Sequence, residues 1–206
     1  MIAPVTAAMM LLTACGGGGS KDNANQSSGG TGSTAASPTP SSEAMGGMDM
    51  SSPTATSTPE ALDTGTYQGT FSNLAAAPAG TGTIGGTATM VISKSGTTVS
   101  IAATGLDPKA VYIAHVHKQA CSDNGGGTHF QFTPGGEAKP PNEVWLTPVT
   151  VTSGGKGSAK TTADKPVNSD AKSVVIHLKR APGSSTDEAT PPKLACADLA
   201  PKKSSA

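Results

Sequence analysis

Apolar positions are spread unevenly along this chain. From Gly16 to about Gly65 they are sparse and follow neither a helical nor an alternating period. Beyond Gly65, short runs rich in Val, Ile, Thr and Ala recur between Gly, Pro, Asn and Asp. β-Branched runs of this length fit a pleated, half-buried surface, and the residues between them are turn formers. The pattern therefore predicts strands at 66–71, 86–93, 97–104, 110–117, 144–152, 157–162, 173–178 and 194–198. Gly96, Asp107-Pro108 and Gly154-Gly155 supply turns between them. Eight short strands without a helical stretch predict an all-β fold, an eight-stranded sandwich or barrel over residues 66–200.

The stretch 15–65 is dominated by Gly, Ser, Thr and Pro. It cannot offset its ordering entropy by burial and reads as a disordered linker. As a flexible coil of about 50 residues it spans on the order of 40 Å. Ahead of it, residues 2–14 form a short apolar run ending in small residues, followed by Cys15 and four glycines. Leu12-Thr13-Ala14-Cys15 resembles the lipobox of a bacterial lipoprotein signal, in which small residues fit the signal peptidase and the cysteine thiol receives diacylglycerol. The run is too short to span a bilayer as a mature helix. No Lys or Arg precedes it, a departure from the charged opening of such signals. The resemblance implies a signal peptide at 1–14, a lipid on Cys15, and an extracytoplasmic domain anchored to a bacterial membrane. Residues 201–206 read as a disordered tail. Within the linker, Met45, Met48 and Met50 carry thioethers soft enough for Cu(I), although methionines in such a segment commonly have no role.

Composition narrows the function classes. The 206 residues have a formal net charge of zero, and only 3% are aromatic and 14% charged, so nothing supports a nucleic-acid surface. Any steering of an anion must be local. Besides Cys15 there is a distant pair, Cys121 and Cys196, which are candidates for a disulfide in an oxidising compartment only.

All four histidines, His115, His117, His129 and His177, fall among the expected strands and their loops. In a strand, residues i and i+2 point to one face, so His115 and His117 present two imidazoles side by side in a chelating arrangement. The plainer alternative is a pair of exposed histidines beside a loop.

Several segments together resemble copper/zinc superoxide dismutases. Gly105-Leu106-Asp107-Pro108, His115-Val116-His117, Cys121-Ser122-Asp123, Gly126-Gly127-Thr128-His129-Phe130, Val174-Val175-Ile176-His177 and Lys193-Leu194-Ala195-Cys196 follow the family's signature segments in order, over roughly residues 66–199. The resemblance implies a Greek-key barrel with copper held by His115, His117, His129 and His177, and a Cys121–Cys196 disulfide. Four imidazoles suit Cu(II), which favours tetragonal nitrogen coordination. It also implies superoxide as substrate, with the His129 counterpart taking a proton when copper is reduced.

Two departures from the family matter. Between Phe130 and Leu146 there is no histidine, and Trp145 stands where the family places its zinc aspartate, so zinc is not expected. Asn142-Glu143-Val144 is similar to a glutamate-valine step of copper-only members, and a carboxylate there could accept the second N–H of His129 and orient its ring. The alternative for Glu143 is a solvated loop carboxylate. The second departure is Lys193 in place of the family's guiding arginine; it keeps the charge but lacks the planar fork of guanidinium. Lys179, Arg180, Asp187 and Glu188 form no obvious funnel.

Three expectations follow from these residues. The first is a copper-dependent superoxide dismutase, with His129 as proton relay, Glu143 behind it and Lys193 as anion guide. The second is an extracytoplasmic copper-binding protein of the same fold without useful turnover. The third, a barrel without metal, leaves four histidines without a purpose, because a packed core needs none.

Overall fold

A computed structural model of the chain describes residues 58–203. Cys15, the signal at 1–14, Met45, Met48, Met50 and most of the linker lie outside the described residues, as do the last three positions of the tail.

Eleven strands build the fold, and no helix occurs among the described residues. They are β1 Gly65–Thr70, β2 Ser72–Asn73, β3 Gly85–Ser93, β4 Gly96–Thr104, β5 Val111–His117, β6 Trp145–Leu146, β7 Thr150–Val151, β8 Gly157–Ala163, β9 Ser173–Arg180, β10 Lys193–Asp198 and β11 Ala200–Pro201. One antiparallel sheet runs β11-β1-β3-β4-β8-β7 and the other β2-β10-β9-β5-β6. Burial alternates along β3 and β4. Ala88, Met90 and Ile92 of β3, and Val99, Ile101 and Ala103 of β4, are buried, whereas Val91 is 43% exposed. From the second sheet, Ala114, Val116, Val174 and Ile176 join the same core.

The expected strands are all present, with one of them divided. The expected 144–152 strand is β6 in one sheet and β7 in the other. Pro148 between them has no N–H to continue a ladder, which lets the chain cross over the core. The expected 66–71 strand is β1, and beyond it the chain passes across the buried Phe71 into β2 of the other sheet. Paired backbone also reaches beyond 66–200: Ala61 bridges Asn168, and Ala200–Pro201 pairs with β1.

The alternation that buries Tyr112, Ala114 and Val116 turns His115 and His117 to the outer face of the second sheet. Val174 and Ile176 likewise leave Ser173, Val175 and His177 on that outer face. Long loops cover it, so the histidines are buried although they lie outside the core between the sheets.

Candidate metal centre

Loop 118–129 folds back along β5. Lys118 N donates to Thr128 O at 2.9 Å and Gln119 N to Gly126 O at 3.0 Å. Gly126, at φ 89°, lies flat on the sheet; a Cβ there would come within 2.9 Å of both Val175 Cγ2 and Ser173 Oγ. Only glycine permits that approach and that φ without strain. A disulfide joins Cys121 to Cys196 of β10, with a Cα separation of 5.7 Å, and pins this loop to the sheet. Asp198 Oδ1 adds a hydrogen bond from Cys121 N at 2.7 Å.

The chain then returns as an irregular hairpin. His117 bridges His129, and Gln131 bridges Glu143. The ring of Phe130 is fully buried in the core and fixes the segment in depth. Alternation puts His129 and Gln131 on one side of one arm, and Glu143 and Trp145 on the same side of the other. Those four side chains meet. His129 Nδ1 lies 2.6 Å from Glu143 Oε2, Trp145 Nε1 donates to the same oxygen at 2.7 Å, and Gln131 Nε2 donates to Oε1 at 3.0 Å. Glu143 is only 4% exposed, so it is no solvated loop carboxylate. Burial pushes its carboxyl up, but the hydrogen bonds from Trp145, Gln131 and His129 outweigh this and hold it below the usual range.

The four imidazoles converge. One nitrogen from each lies within 4.8 Å of the others, and ring centroids are 4.2 Å apart for His115 and His129 and 5.3 Å for His117 and His177. The tautomers of two rings follow from their partners. His117 Nδ1 sits 3.1 Å from Gly127 O, and His177 Nδ1 sits 3.1 Å from Pro191 O. A carbonyl only accepts, so both Nδ1 atoms carry hydrogen and both Nε2 atoms carry lone pairs. Yet those two Nε2 atoms are 3.1 Å apart. Two buried lone pairs facing each other at that distance repel unless a cation lies beside them. His115 points to the same conclusion, since both of its ring nitrogens are buried without a hydrogen-bond partner.

Burial, followed by the charges of His129, His177 and His117, pushes His115 down to about 2. Burial, then His177, His129 and Lys193, pushes His117 down to about 3 against the pull of the Gly127 carbonyl. Burial likewise takes His177 to about 4, with the Pro191 carbonyl opposing. These three rings are therefore neutral at ordinary pH, the form that ligates metal. This buried cluster can hold one metal ion.

The cluster floors an open cleft of about 620 Å³, walled on the far side by Ala189, Thr190 and Pro191. Asp187 fastens that wall to the end of β9 by pairing with Lys179 at 3.4 Å and Arg180 at 3.3 Å. These charges tie a loop to the strand. Lys193 also lines the cleft, and burial lowers its pKa. Its Nζ donates to Asn124 O at 2.9 Å and Gly127 O at 2.6 Å, which occupies two of its three protons.

All the site residues expected from sequence are thus gathered here, apart from Cys15. Sequence reasoning missed Gln131 and the indole N–H of Trp145. Their spacing of two from His129 and Glu143 was the available signal. The Gly127 and Pro191 carbonyls carry no residue-type signal at all. The sequence matches no protein-family model and no curated protein.

Proposed function

We propose that this chain is an exported, lipid-anchored, copper-dependent superoxide dismutase of the Greek-key barrel type. The observation that carries the metal reading is the pair of buried Nε2 lone pairs of His117 and His177, 3.1 Å apart beside the unpartnered nitrogens of His115. An all-imidazole donor set favours copper over the oxygen-seeking cations, and four histidines make one site. Bound copper would supply one-electron chemistry, accepting an electron from one superoxide and passing it to a second.

The chain's own groups serve that reaction in distinct ways. His115, His117, His129 and His177 hold the ion. Glu143 takes the Nδ1–H of His129, which leaves Nε2 as the nitrogen that can accept a proton and return it to a departing peroxide. Lys193 lines a cleft wide enough for a diatomic anion and has one N–H beyond the two given to carbonyls. The Cys121–Cys196 disulfide is in keeping with an oxidising compartment, as the lipobox-like Cys15 segment requires.

The commitment of Lys193 to two carbonyls favours a second reading, a copper-holding protein with little turnover. One experiment separates them. The soluble domain is loaded with copper and zinc together, assayed for bound metal, and mixed with superoxide. One copper per chain, little zinc, and faster consumption than equal copper in a free ligand are expected. Copper bound without faster consumption leaves the holding protein; no stoichiometric copper defeats both readings.

A further inference from the structure

We infer that Trp145 is a positioning residue that sets the tautomer of His129 through Glu143. The reasoning rests on which partners can only donate. An indole N–H has no acceptor capacity, so the Glu143 oxygen it meets at 2.7 Å must accept. The other oxygen faces the Gln131 amide, whose own oxygen is already engaged by Gly135 N at 3.0 Å, so its NH2 end points at Glu143. Donors on both oxygens favour the ionised carboxylate, which has no hydrogen of its own to give. The hydrogen in the 2.6 Å contact with His129 therefore resides on Nδ1, and in the neutral ring the lone pair is on Nε2.

The two donors differ in stiffness. Gln131 is a flexible side chain on a loop and can swing away. Trp145 is pinned: its ring lies against His115, with centroids 5.1 Å apart, and its backbone pairs with His115 across β5 and β6. The indole is thus the fixed point from which the orientation of Glu143 and His129 is taken. It also links two members of the cluster, touching His115 directly and His129 through the carboxylate. The purpose of this tautomer, an Nε2 free for a metal, rests on the copper reading; the tautomer itself does not.

For that reason the test uses metal-free protein. Nitrogen-15 shifts of the histidine rings report which nitrogen carries hydrogen. In the wild type at mildly alkaline pH, His129 is expected as the Nδ1–H form. In Glu143→Gln the rigid indole should keep the oxygen end of the new amide turned toward itself and His129, so the Nδ1–H form persists. In Glu143→Gln with Trp145→Phe the amide is free to turn its NH2 to His129, and the ring should switch largely to the Nε2–H form. An Nε2–H form in the wild type overturns the inference without any variant. So does a double variant that is folded and keeps the Nδ1–H form, or a single Glu143→Gln that has already switched. Failure to bind copper would sink the proposed function and leave these spectra unaffected.

Discussion

Lys193 and His117 are joined through one atom, the carbonyl oxygen of Gly127, which accepts the ammonium at 2.6 Å and the imidazole Nδ1–H at 3.1 Å. Lys193 is therefore both a positive charge beside the site and a brace for one of its imidazoles. Lys193 also pairs with His177 across β10 and β9, so its backbone is tied to a second imidazole of the cluster.

Replacing Lys193 by Met should remove both effects. Superoxide consumption at low ionic strength should fall by roughly tenfold, the low end of what a focused charge contributes, and the salt dependence of the rate should flatten. Lys193→Arg keeps the charge and should preserve or raise the rate. A Lys193→Met protein with the wild-type salt profile would contradict a guiding role.

His177→Ala removes one of the four converging imidazoles and the nitrogen that confronts His117. Copper affinity should drop by at least the roughly 10–100-fold that loss of a mere supporting group produces, and dismutation should disappear. Competition against a chelator of known affinity measures the first, and undiminished affinity would remove His177 from the ligand set.

Glu143→Gln leaves all four imidazoles in place and changes only what His129 leans on. Copper should remain bound, while turnover falls by roughly 10–100-fold or its pH dependence shifts. A rate and pH profile equal to the wild type would make Glu143 a structural carboxylate only.

Acid should destabilise the metal-free protein through the buried histidines. His115, His117 and His177 are held near 2, 3 and 4 when folded, against an ordinary value of 6.5. Between those values the unfolded chain binds more protons, so the stability is fully present above 6.5 and is lost as pH falls toward 4 and below. The urea midpoint of chelated protein should decline from pH 7 to pH 5, and less steeply in His177→Ala. A flat midpoint would mean that the rings are not buried neutral.

Replacing both Cys121 and Cys196 by Ala should cost about 4 kcal/mol by loop-closure entropy for a 75-residue separation. Because the bond pins the loop carrying Asn124, Gly127 and His129, copper affinity should fall as well. Denaturant unfolding of oxidised and variant protein checks the stability, and equal midpoints would show the loop held by other contacts.

Local order decided how much of this could be read from the chain. Alternation is a period-two property of neighbouring residues, so the strands, the paired faces of His115 and His117, and the all-β class were legible in the sequence. Motif order placed His129, His177, Glu143, Lys193 and the cysteine pair as one constellation, and they do converge. Other features depend on where distant backbone comes to rest. Pro148 fell inside one expected strand, 144–152, and its use to carry the chain from one sheet to the other depends on the twist and separation of both sheets. The carbonyls of Gly127 and Pro191, which fix two tautomers, belong to every residue alike and gain meaning only when a loop lays them against a ring. Trp145 read as the loss of a zinc ligand. Only the pairing of β6 with β5, and the bridge between Gln131 and Glu143, turned its N–H onto the carboxylate behind His129, because a hydrogen bond is a matter of ångströms that tertiary packing alone sets.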